Sequence, residues 1–254
     1  MARMEVISLT GCGIITNQGA YPDRKGEGKA YLRQLALNDD RYIPSLAKVA
    51  EMINRHGAVS IQQILHGGRY GGIELDYCVQ PSSKKQTLKH FRPPKEMAKA
   101  EIQQCVNEHA QAARRAIEAG FHGVEITSFM GYLLSNFNSK FTNLRTDEYG
   151  DSVENRGRFM AEVIQAIKEA IGDDKPVIVR LNGVELMDEY GGNTPEECLE
   201  FMKMAEKAGA DCISLPPTTG FTWPPPRRKS STSPWPSGRA SAIRFWPSGP
   251  SETE

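Results

Sequence analysis

Short apolar runs alternate with longer amphipathic segments along residues 4–215. Runs that are rich in β-branched residues predict five strands, over 4–10, 58–65, 122–127, 176–181 and 211–215. Apolar residues that recur every three or four positions predict helices over 41–57, 100–120, 153–172 and 194–209. Strands and helices that alternate in this order indicate parallel strands joined by right-handed crossovers. A doubly wound sheet and a (β/α) barrel both satisfy the pattern, so periodicity alone leaves the two folds open.

Capping residues mark the start of two predicted helices. Thr194 can cap the helix over 194–209, Pro195 suits its first turn, and Glu197 completes a capping box. Ser152 stands directly before the helix over 153–172. We therefore expect helices to begin at these two positions.

Polar residues stand at or just after the ends of the predicted strands. They are Thr10, Gln63, His66, Thr127, Tyr132 and Arg180. The carboxyl ends of the strands are where a barrel of this type carries its chemistry. No G-x-G-x-x-G follows a predicted strand and no G-K-[ST] occurs, so a nucleotide-binding sheet has no support. The glycine-rich segment 66–72, HGGRYGG, lacks phosphate-loop spacing and predicts a turning loop.

Composition narrows the class of protein. The chain of 254 residues carries 31 basic and 31 acidic side chains, which gives no basis for a nucleic-acid partner. Its five cysteines are scattered and never spaced as C-x-x-C, which argues for reduced thiols and against a disulfide framework or a zinc site. No apolar run reaches the length of a membrane span, and the N-terminus has no signal pattern. We expect a soluble cytoplasmic protein with no membrane partner.

Four segments carry a resemblance to a known family. They are IQQILHGGRYGG (61–72), AARRAIEAGFHGVEI (112–126), GYLLSNF (131–137) and NLRTDEYGDSVENRGRF (143–159). In order and spacing they resemble the old yellow enzyme family of FMN-dependent NADH oxidoreductases, which reduce activated carbon–carbon double bonds. The resemblance covers about residues 5–215. It implies a (β/α)8 TIM barrel with FMN across its carboxyl mouth and NADH or NADPH as the hydride donor.

The resemblance implies four cofactor-binding residues. Gln63 resembles the glutamine that hydrogen-bonds the pyrimidine edge of the flavin, where a carboxamide offers both a donor and an acceptor. Arg180 resembles the arginine beside flavin N1 and O2, where a permanent cation stabilises the charge of the reduced ring. Gly11 and Cys12 follow the predicted strand 4–10, where the family backbone approaches the flavin. The alternatives are a solvent-facing strand residue for Gln63 and a salt-bridged strand end for Arg180.

Tyr132 is the catalytic residue that the resemblance implies. A tyrosine in this G-Y-L element protonates the substrate α-carbon after hydride transfer from the flavin to the β-carbon. An unperturbed phenol has a pKa of about 10, so it is protonated at neutral pH and can act as a general acid. The alternative is an aromatic side chain that packs beneath the loop.

The substrate-binding positions depart from the pattern of many members. Thr127 and Met130 stand where many relatives have the H-x-x-H or H-x-x-N pair that grips a carbonyl oxygen. Small enones held by such a pair are therefore doubtful substrates, and the 2,4-dienoyl-CoA reductase branch, which also lacks the pair, suggests a thioester or bulky apolar enoyl substrate. His66 and Arg69 either line the mouth or order the loop.

Other polar residues of the shared segments are interpreted as structural. His109 lies on a predicted helix and His122 begins a predicted strand. The loop-bracing set is Arg145, Asp147, Asn155 and Arg156. Asp151 replaces the second glycine of the family pattern, at a turn.

The C-terminal segment differs from the rest of the chain. Residues 216–254 hold all three tryptophans and nine of the sixteen prolines. We therefore divide the chain into a partial FMN-binding barrel domain, 1–215, with about strands two to six, and an irregular tail, 216–254. The tail is either a disordered Pro-rich arm or the product of a shifted reading frame. G- and C-rich codons for residues 233–254, read one base out of phase, can encode PVAFGPRLGDPVLAERALRDG, which resembles the family's seventh strand and helix.

Two functions follow from these observations. The first is an FMN-dependent NAD(P)H oxidoreductase that acts on a small unsaturated carbonyl or thioester compound. The second is an inactive, truncated barrel that cannot hold FMN and at most binds partners through the Pro-rich arm. The colour of the purified protein distinguishes them.

Overall fold

The computed structural model describes residues 2–84, 92–187, 190–216 and 243–245. The helices are α1 (Ala2–Ser8), α2 (Ile43–Arg55), α3 (Lys99–Glu118), α4 (Leu133–Asn138), α5 (Val153–Ile171) and α6 (Pro195–Lys207). The strands are β1 (Ile14–Tyr21), β2 (Leu35–Ala36), β3 (Val59–Ile64), β4 (Cys78–Gln80), β5 (Pro94–Glu96), β6 (Gly123–Ser128), β7 (Val177–Leu181), β8 (Cys212–Ser214) and β9 (Ile243–Phe245). Short 3-10 helices cover Asp40–Tyr42 and Gly68–Tyr70.

The main sheet has the order β2-β1-β3-β6-β7-β8-β9. Every neighbouring pair from β2 to β8 is parallel, and β9 pairs with β8 in the antiparallel direction. Helices α2, α3, α5 and α6 lie between successive strands β1, β3, β6, β7 and β8. This arrangement confirms the predicted partial (β/α) barrel. Strands β4 and β5 form a separate two-stranded sheet within the excursion that follows β3.

The first predicted strand is wrong. Residues 4–8, within the predicted strand 4–10, belong to helix α1, and the first strand of the sheet is β1, which the pattern did not predict. The run was too short to separate a strand from a helix, because Met4 and Ile7 pack on the core while Val6 is exposed, as on a helix. Strand β1 escaped prediction because its polar Asn17 is buried, with its Nδ2 donating to Gln62 Oε1 at 2.8 Å.

The other predicted helices and strands are confirmed within two residues at each end. Thr194 Oγ1 accepts from the Glu197 N–H at 3.3 Å, and the Glu197 carboxylate accepts from the Thr194 N–H at 2.8 Å, which is the predicted capping box. Ser152 accepts from the Asn155 N–H at 3.2 Å. In the described part of the chain no helix is long and apolar enough to cross a bilayer.

Side chains alternate between the two faces of the main sheet. The face that packs against the helices carries Ile64, Val124, Ile126, Val177, Val179 and Ile213. The opposite face, here called the inner face, carries a small apolar group of Ile61, Ile178 and Cys212. Because side chains two residues apart point the same way, Gln63 and Arg180 also lie on the inner face, nearer the carboxyl ends of the strands.

Most of the predicted tail lies outside the described residues. Only residue 216 and the strand β9 are described. Both explanations of the tail, the disordered arm and the shifted reading frame, therefore stay predictions.

Candidate functional site

A carboxylate joins the two predicted cofactor-binding residues on the inner face. Gln63 on β3 stands opposite Glu125 on β6, and Glu125 stands opposite Ile178 on β7. Gln63 Nε2 donates to Glu125 Oε1 at 2.5 Å, and Arg180 Nη1 lies 4.0 Å from the same oxygen. Sequence reasoning missed Glu125 as a site residue. The sequence did contain an indication of this residue, since a carboxylate interrupts the otherwise apolar strand sequence GVEI two residues before Thr127.

Burial sets the electrostatics of this group. Glu125 is 3% exposed, and burial raises the pKa of its carboxyl, against the lowering effects of the Gln63 hydrogen bond and the Arg180 charge. The Arg180 guanidinium lies 4.8 Å from the centre of the Phe129 ring. Its Nε is buried and has no hydrogen-bond partner among the described residues.

Gly19 lets its own backbone approach Gln63 and Leu65 closely, because any larger residue would clash there. A Cβ at Gly19 would lie 2.7 Å from Gln63 Oε1 and 2.7 Å from the Leu65 Cβ. The inner face therefore presents a carboxamide oxygen and an unsatisfied N–H of a permanent cation near the carboxyl ends of adjacent strands. This donor and acceptor set fits the pyrimidine edge of a flavin, which carries both an N–H and carbonyl oxygens.

Tyr132 lies at the N-cap position of α4, directly after two residues with left-handed backbone, Met130 (φ 56°) and Gly131 (φ 77°). Its half-buried ring makes edge-on contacts with Phe129 at 5.6 Å and Tyr70 at 6.0 Å between centroids. Burial, with smaller contributions from Tyr31 and Tyr70, raises the pKa of the phenol. The raised pKa keeps the phenol protonated at neutral pH, and the hydroxyl has no hydrogen-bond partner among the described residues, so its proton is free to donate.

The segment 66–72 holds α4 in place. The Leu133 N–H donates to the carbonyl of His66 at 3.0 Å, and the Arg69 N–H donates to Asn136 Oδ1 at 3.2 Å. Gly68 has φ 55°, and a Cβ there would lie 2.7 Å from the Leu133 Cα. The glycines thus allow close contact between this loop and the helix that carries Tyr132. The predicted turning loop is confirmed.

The structure shows how the four predicted substrate-binding residues are engaged. Thr127 is buried, and its hydroxyl donates to the Ile64 carbonyl at 3.3 Å. Met130 is half-exposed, and its backbone N–H donates to Asn182 Oδ1 at 3.3 Å. Neither side chain offers the hydrogen-bond donor that a histidine pair would supply.

His66 and Arg69 fit the loop-ordering alternative. His66 is buried, and its Nδ1 accepts from the Gly68 N–H at 3.2 Å. Burial lowers the pKa of His66 to about 4, so its ring is neutral at physiological pH. Arg69 is also buried, with its guanidinium 5.1 Å from the centre of the Tyr70 ring.

The assignment of Gly11 and Cys12 to the cofactor site is wrong. Both residues are exposed and follow helix α1 rather than a strand. The next residue, Gly13, accepts a hydrogen bond from the N–H of Val59, the first residue of β3, at 2.9 Å. This contact places them at the amino ends of the strands, across the sheet from the end that carries Gln63 and Arg180. The assignment failed because it depended on the incorrect strand 4–10.

The predicted loop-bracing residues make structural contacts. Arg145 Nε and Nη2 pair with Asp147 at 3.0 and 2.6 Å, and Arg145 Nη1 donates to the carbonyls of Pro81 and Met97. Arg156 donates to Asn138, Asp151, Asn193 and Glu197. Asn155 Oδ1 accepts from Arg158, and Asp151 has φ 70°, the conformation that explains the family's glycine there.

The two histidines that were interpreted as structural also make local contacts. His109 Nδ1 contacts the Cys105 carbonyl at 2.7 Å, and His122 Nδ1 accepts from the Ser60 N–H at 3.2 Å.

Comparison with known proteins identifies relatives of this chain. The NADH:flavin oxidoreductase / NADH oxidase family model matches residues 6–246, which extends past the segments that carry the resemblance. A metal reductase from Desulforamulus reducens is 38% identical over 207 residues, 81% of this chain and 30% of the relative. An NADH oxidase from Thermoanaerobacter brockii is 37% identical over 207 residues, 81% of this chain and 31% of the relative.

A solved structure is also similar to this chain. A 2-naphthoyl-CoA reductase in complex with 2-naphthoyl-CoA superimposes with a TM-score of 0.80 and 37% identity, over 86% of this chain and 34% of that protein. The chain thus spans about a third of the length of these three relatives. These matches confirm the resemblance found in the four shared segments, and the chain belongs to the NADH:flavin oxidoreductase / NADH oxidase family.

Proposed function

We propose that this chain carries the flavin-facing and substrate-facing part of an FMN-dependent NAD(P)H oxidoreductase that reduces activated carbon–carbon double bonds. The observation that carries the proposal is the inner-face group of Gln63, Glu125 and Arg180, in which Arg180 Nε is buried without a described partner. Membership of the NADH:flavin oxidoreductase family supports the same reaction class.

Gln63 and Arg180 hold the cofactor in this proposal. FMN held here would supply hydride transfer between NADH or NADPH and the substrate. Arg180 would place a permanent positive charge beside the ring and would stabilise negative charge there. The Gln63 oxygen would accept from an N–H at the ring edge. The Phe129 ring covers the Arg180 guanidinium at 4.8 Å and limits its movement.

Tyr132 supplies the proton. Its hydroxyl has no described partner, and burial holds the pKa of the phenol above its usual value. The phenol therefore keeps its proton at neutral pH until a stronger base, such as the α-carbon of a substrate that has received a hydride, takes it. The loop 66–72 fixes α4 and so fixes the position from which the proton leaves.

The substrate class follows from what surrounds Tyr132. Thr127 has committed its hydroxyl to the Ile64 carbonyl, and Met130 is apolar, so a small carbonyl compound finds no strong donor from this pair. Phe129 and Tyr70 instead place two aromatic rings in edge-on contact with Tyr132. We propose a bulky, unsaturated acyl thioester as the substrate. The relative of known structure that binds 2-naphthoyl-CoA supports this choice.

The first test of this proposal is the colour of the purified chain. A yellow protein that binds added FMN with quenching of flavin fluorescence supports it. A colourless chain that leaves FMN fluorescence unchanged supports the inactive-fragment alternative.

The second test separates the two half-reactions. Tyr132→Phe is expected to leave flavin reduction by NADH within about twofold of the unsubstituted chain, because the phenol acts only after hydride transfer. Turnover of an enoyl-CoA substrate should fall by about 10²- to 10⁴-fold, the usual contribution of a general acid. Tyr149→Phe is the matched control, since the Tyr149 hydroxyl contacts Gln103 and Glu162 away from the site. Unchanged enoyl-CoA turnover in Tyr132→Phe removes Tyr132 from the mechanism.

A further inference from the structure

Glu125 is a buried carboxylate in the middle of a sheet. Glutamate is almost never fully buried unless it is paired. The groups that face Glu125 are the Gln63 amide from β3, the Arg180 guanidinium from β7 and the Cys212 thiol from β8. The Cys212 thiol is itself buried, and its pKa is raised by burial and then by the Glu125 charge. The two polar partners of Glu125 are therefore the two residues that the flavin site uses.

The carboxylate determines which end of the Gln63 amide faces the site. An ionised carboxylate only accepts hydrogen bonds, so the Gln63 group that points at Glu125 must be the NH2 group. The Gln63 oxygen then points away from Glu125, on the side where Gly19 approaches the amide closely enough to exclude a Cβ. Without such a partner, nothing would fix whether the oxygen or the NH2 group of the glutamine amide faces the site.

The same carboxylate orients Arg180. Glu125 Oε1 lies 4.0 Å from Arg180 Nη1, so the pair attracts without forming a tight bidentate bridge. Arg180 Nε is left without a described partner. The guanidinium is thus held on one side by Glu125 and on its face by Phe129, with one N–H kept for a ligand.

We propose that Glu125 is a positioning residue that presents the Gln63 oxygen and the Arg180 guanidinium to the flavin. This inference rests on the proposed function of the site.

A purely structural role for Glu125 predicts a different response to substitution. Burial raises the pKa of Glu125 in the folded chain above its value in the unfolded chain. The stabilisation linked to this shift is present at low pH and is lost as the pH rises through the folded-state pKa, so ionised Glu125 opposes folding at neutral pH. Glu125→Gln, which has the same shape and no charge, is therefore expected to unfold at the same temperature as the parent chain or a higher one. If Glu125 served only to stabilise the fold, Glu125→Gln would unfold at a lower temperature than the parent chain.

The first experiment needs no flavin. We expect the side-chain amide resonances of Gln63 in the ¹⁵N-labelled full chain to shift with pH, with a midpoint above the ordinary range of a glutamate. The shift should be absent in Glu125→Gln and preserved in Glu185→Gln. Glu185 is the matched control, because it is also buried with a raised pKa but lies after the end of β7 and binds the Asn193 N–H instead of Gln63. A Gln63 response that is the same in Glu125→Gln as in the parent chain overturns the proposal.

The second experiment measures FMN itself. Glu125→Gln should weaken FMN binding at least tenfold and raise the flavin midpoint potential, because a negative charge beside the ring has been removed. Glu185→Gln should change neither quantity. FMN affinity and potential that are unchanged in Glu125→Gln overturn the inference. If the parent chain binds no FMN, the proposed function fails for this chain, and the Gln63 resonances alone decide whether Glu125 orients the amide.

Discussion

Arg156 connects three elements behind the site, and its removal tests whether the shared segment 143–159 is structural. Its side chain is 4% exposed. Arg156 Nε donates to the Asn138 carbonyl at 3.0 Å, Nη1 to the Asp151 carbonyl at 2.5 Å, and Nη2 to Glu197 Oε1 at 2.9 Å. One guanidinium on α5 therefore joins the end of α4, the turn before α5 and the start of α6.

The contacts of Arg156 give the magnitude of the expected loss. In Arg156→Ala the Asn138 carbonyl keeps its bond from Asn193 Nδ2 at 3.1 Å, and Glu197 keeps Lys140 at 2.8 Å. The Asp151 carbonyl and Glu197 Oε1 lose the partners described here. An unpaired buried acceptor costs about 1–3 kcal/mol, but Asp151 is exposed and Glu197 is partly exposed, so the share of each is reduced and we expect a loss of about 1–3 kcal/mol. For a domain of this size the melting temperature should fall by roughly 2–12 °C.

Urea unfolding followed by circular dichroism measures this loss. Arg158→Ala is the control, because Arg158 lies two residues along the same helix and makes exposed contacts with the Glu148 carbonyl and Asn155. Its loss should stay within about 0.5 kcal/mol. Equal losses for the two variants, or a loss below about 1 kcal/mol for Arg156→Ala, would refute the structural reasoning.

Two further predictions concern the neighbourhood of the site. Gly19→Ala places a Cβ 2.7 Å from Gln63 Oε1 and from the Leu65 Cβ, so it should cost about 1–3 kcal/mol in urea unfolding. The Gln63 amide must move to relieve this clash, so FMN binding should weaken, and an unchanged FMN affinity would contradict the proposed role of Gln63. His66 and His109 stack at 6.3 Å, and burial lowers the pKa of each to about 4, so the folded chain binds fewer protons there than the unfolded chain. The stability they contribute is present above pH 6.5 and is lost as the pH falls towards 4, and His109→Gln should reduce that loss by up to about 3 kcal/mol in urea unfolding at pH 7 and pH 4.5. An identical pH dependence in the parent chain and His109→Gln would exclude this cause.

Strand ends were the most informative positions in the sequence. The common position of Gln63 and Arg180 could be predicted because parallel strands bring their carboxyl ends together, whereas the cofactor-binding role that the resemblance implies for each stays a prediction. Glu125 was missed because it lies inside an apolar run, where a single carboxylate was taken as part of the strand. Its importance depends on which residues stand opposite it, and a one-dimensional pattern does not contain that register.

The N-terminal error has a different physical cause. A seven-residue apolar segment such as α1 satisfies both strand and helix periodicity, so tertiary packing decides its conformation. Strand β1 carries Asn17 at a buried position, where its Nδ2 donates to Gln62 Oε1 on the neighbouring strand. Local propensity could not anticipate that hydrogen bond. Gly11 and Cys12 were misplaced as a direct consequence.

The register of β6 connects the fold to the site. On the inner face, apolar Ile178 lies opposite Glu125, and polar Arg180 lies opposite Thr127 two residues further along, so the surface changes from apolar to polar within one step of the strand. A slip of one residue would exchange Glu125 for Val124 or Ile126 on that face. Val124 and Ile126 are fully buried against the helices, and this burial opposes the slip. The hydrophobic pattern that builds the core therefore also places the Glu125 carboxylate between Gln63 and Arg180. The apolar side chains of β6 act only through the register of the strand, and Glu125 makes the polar contacts.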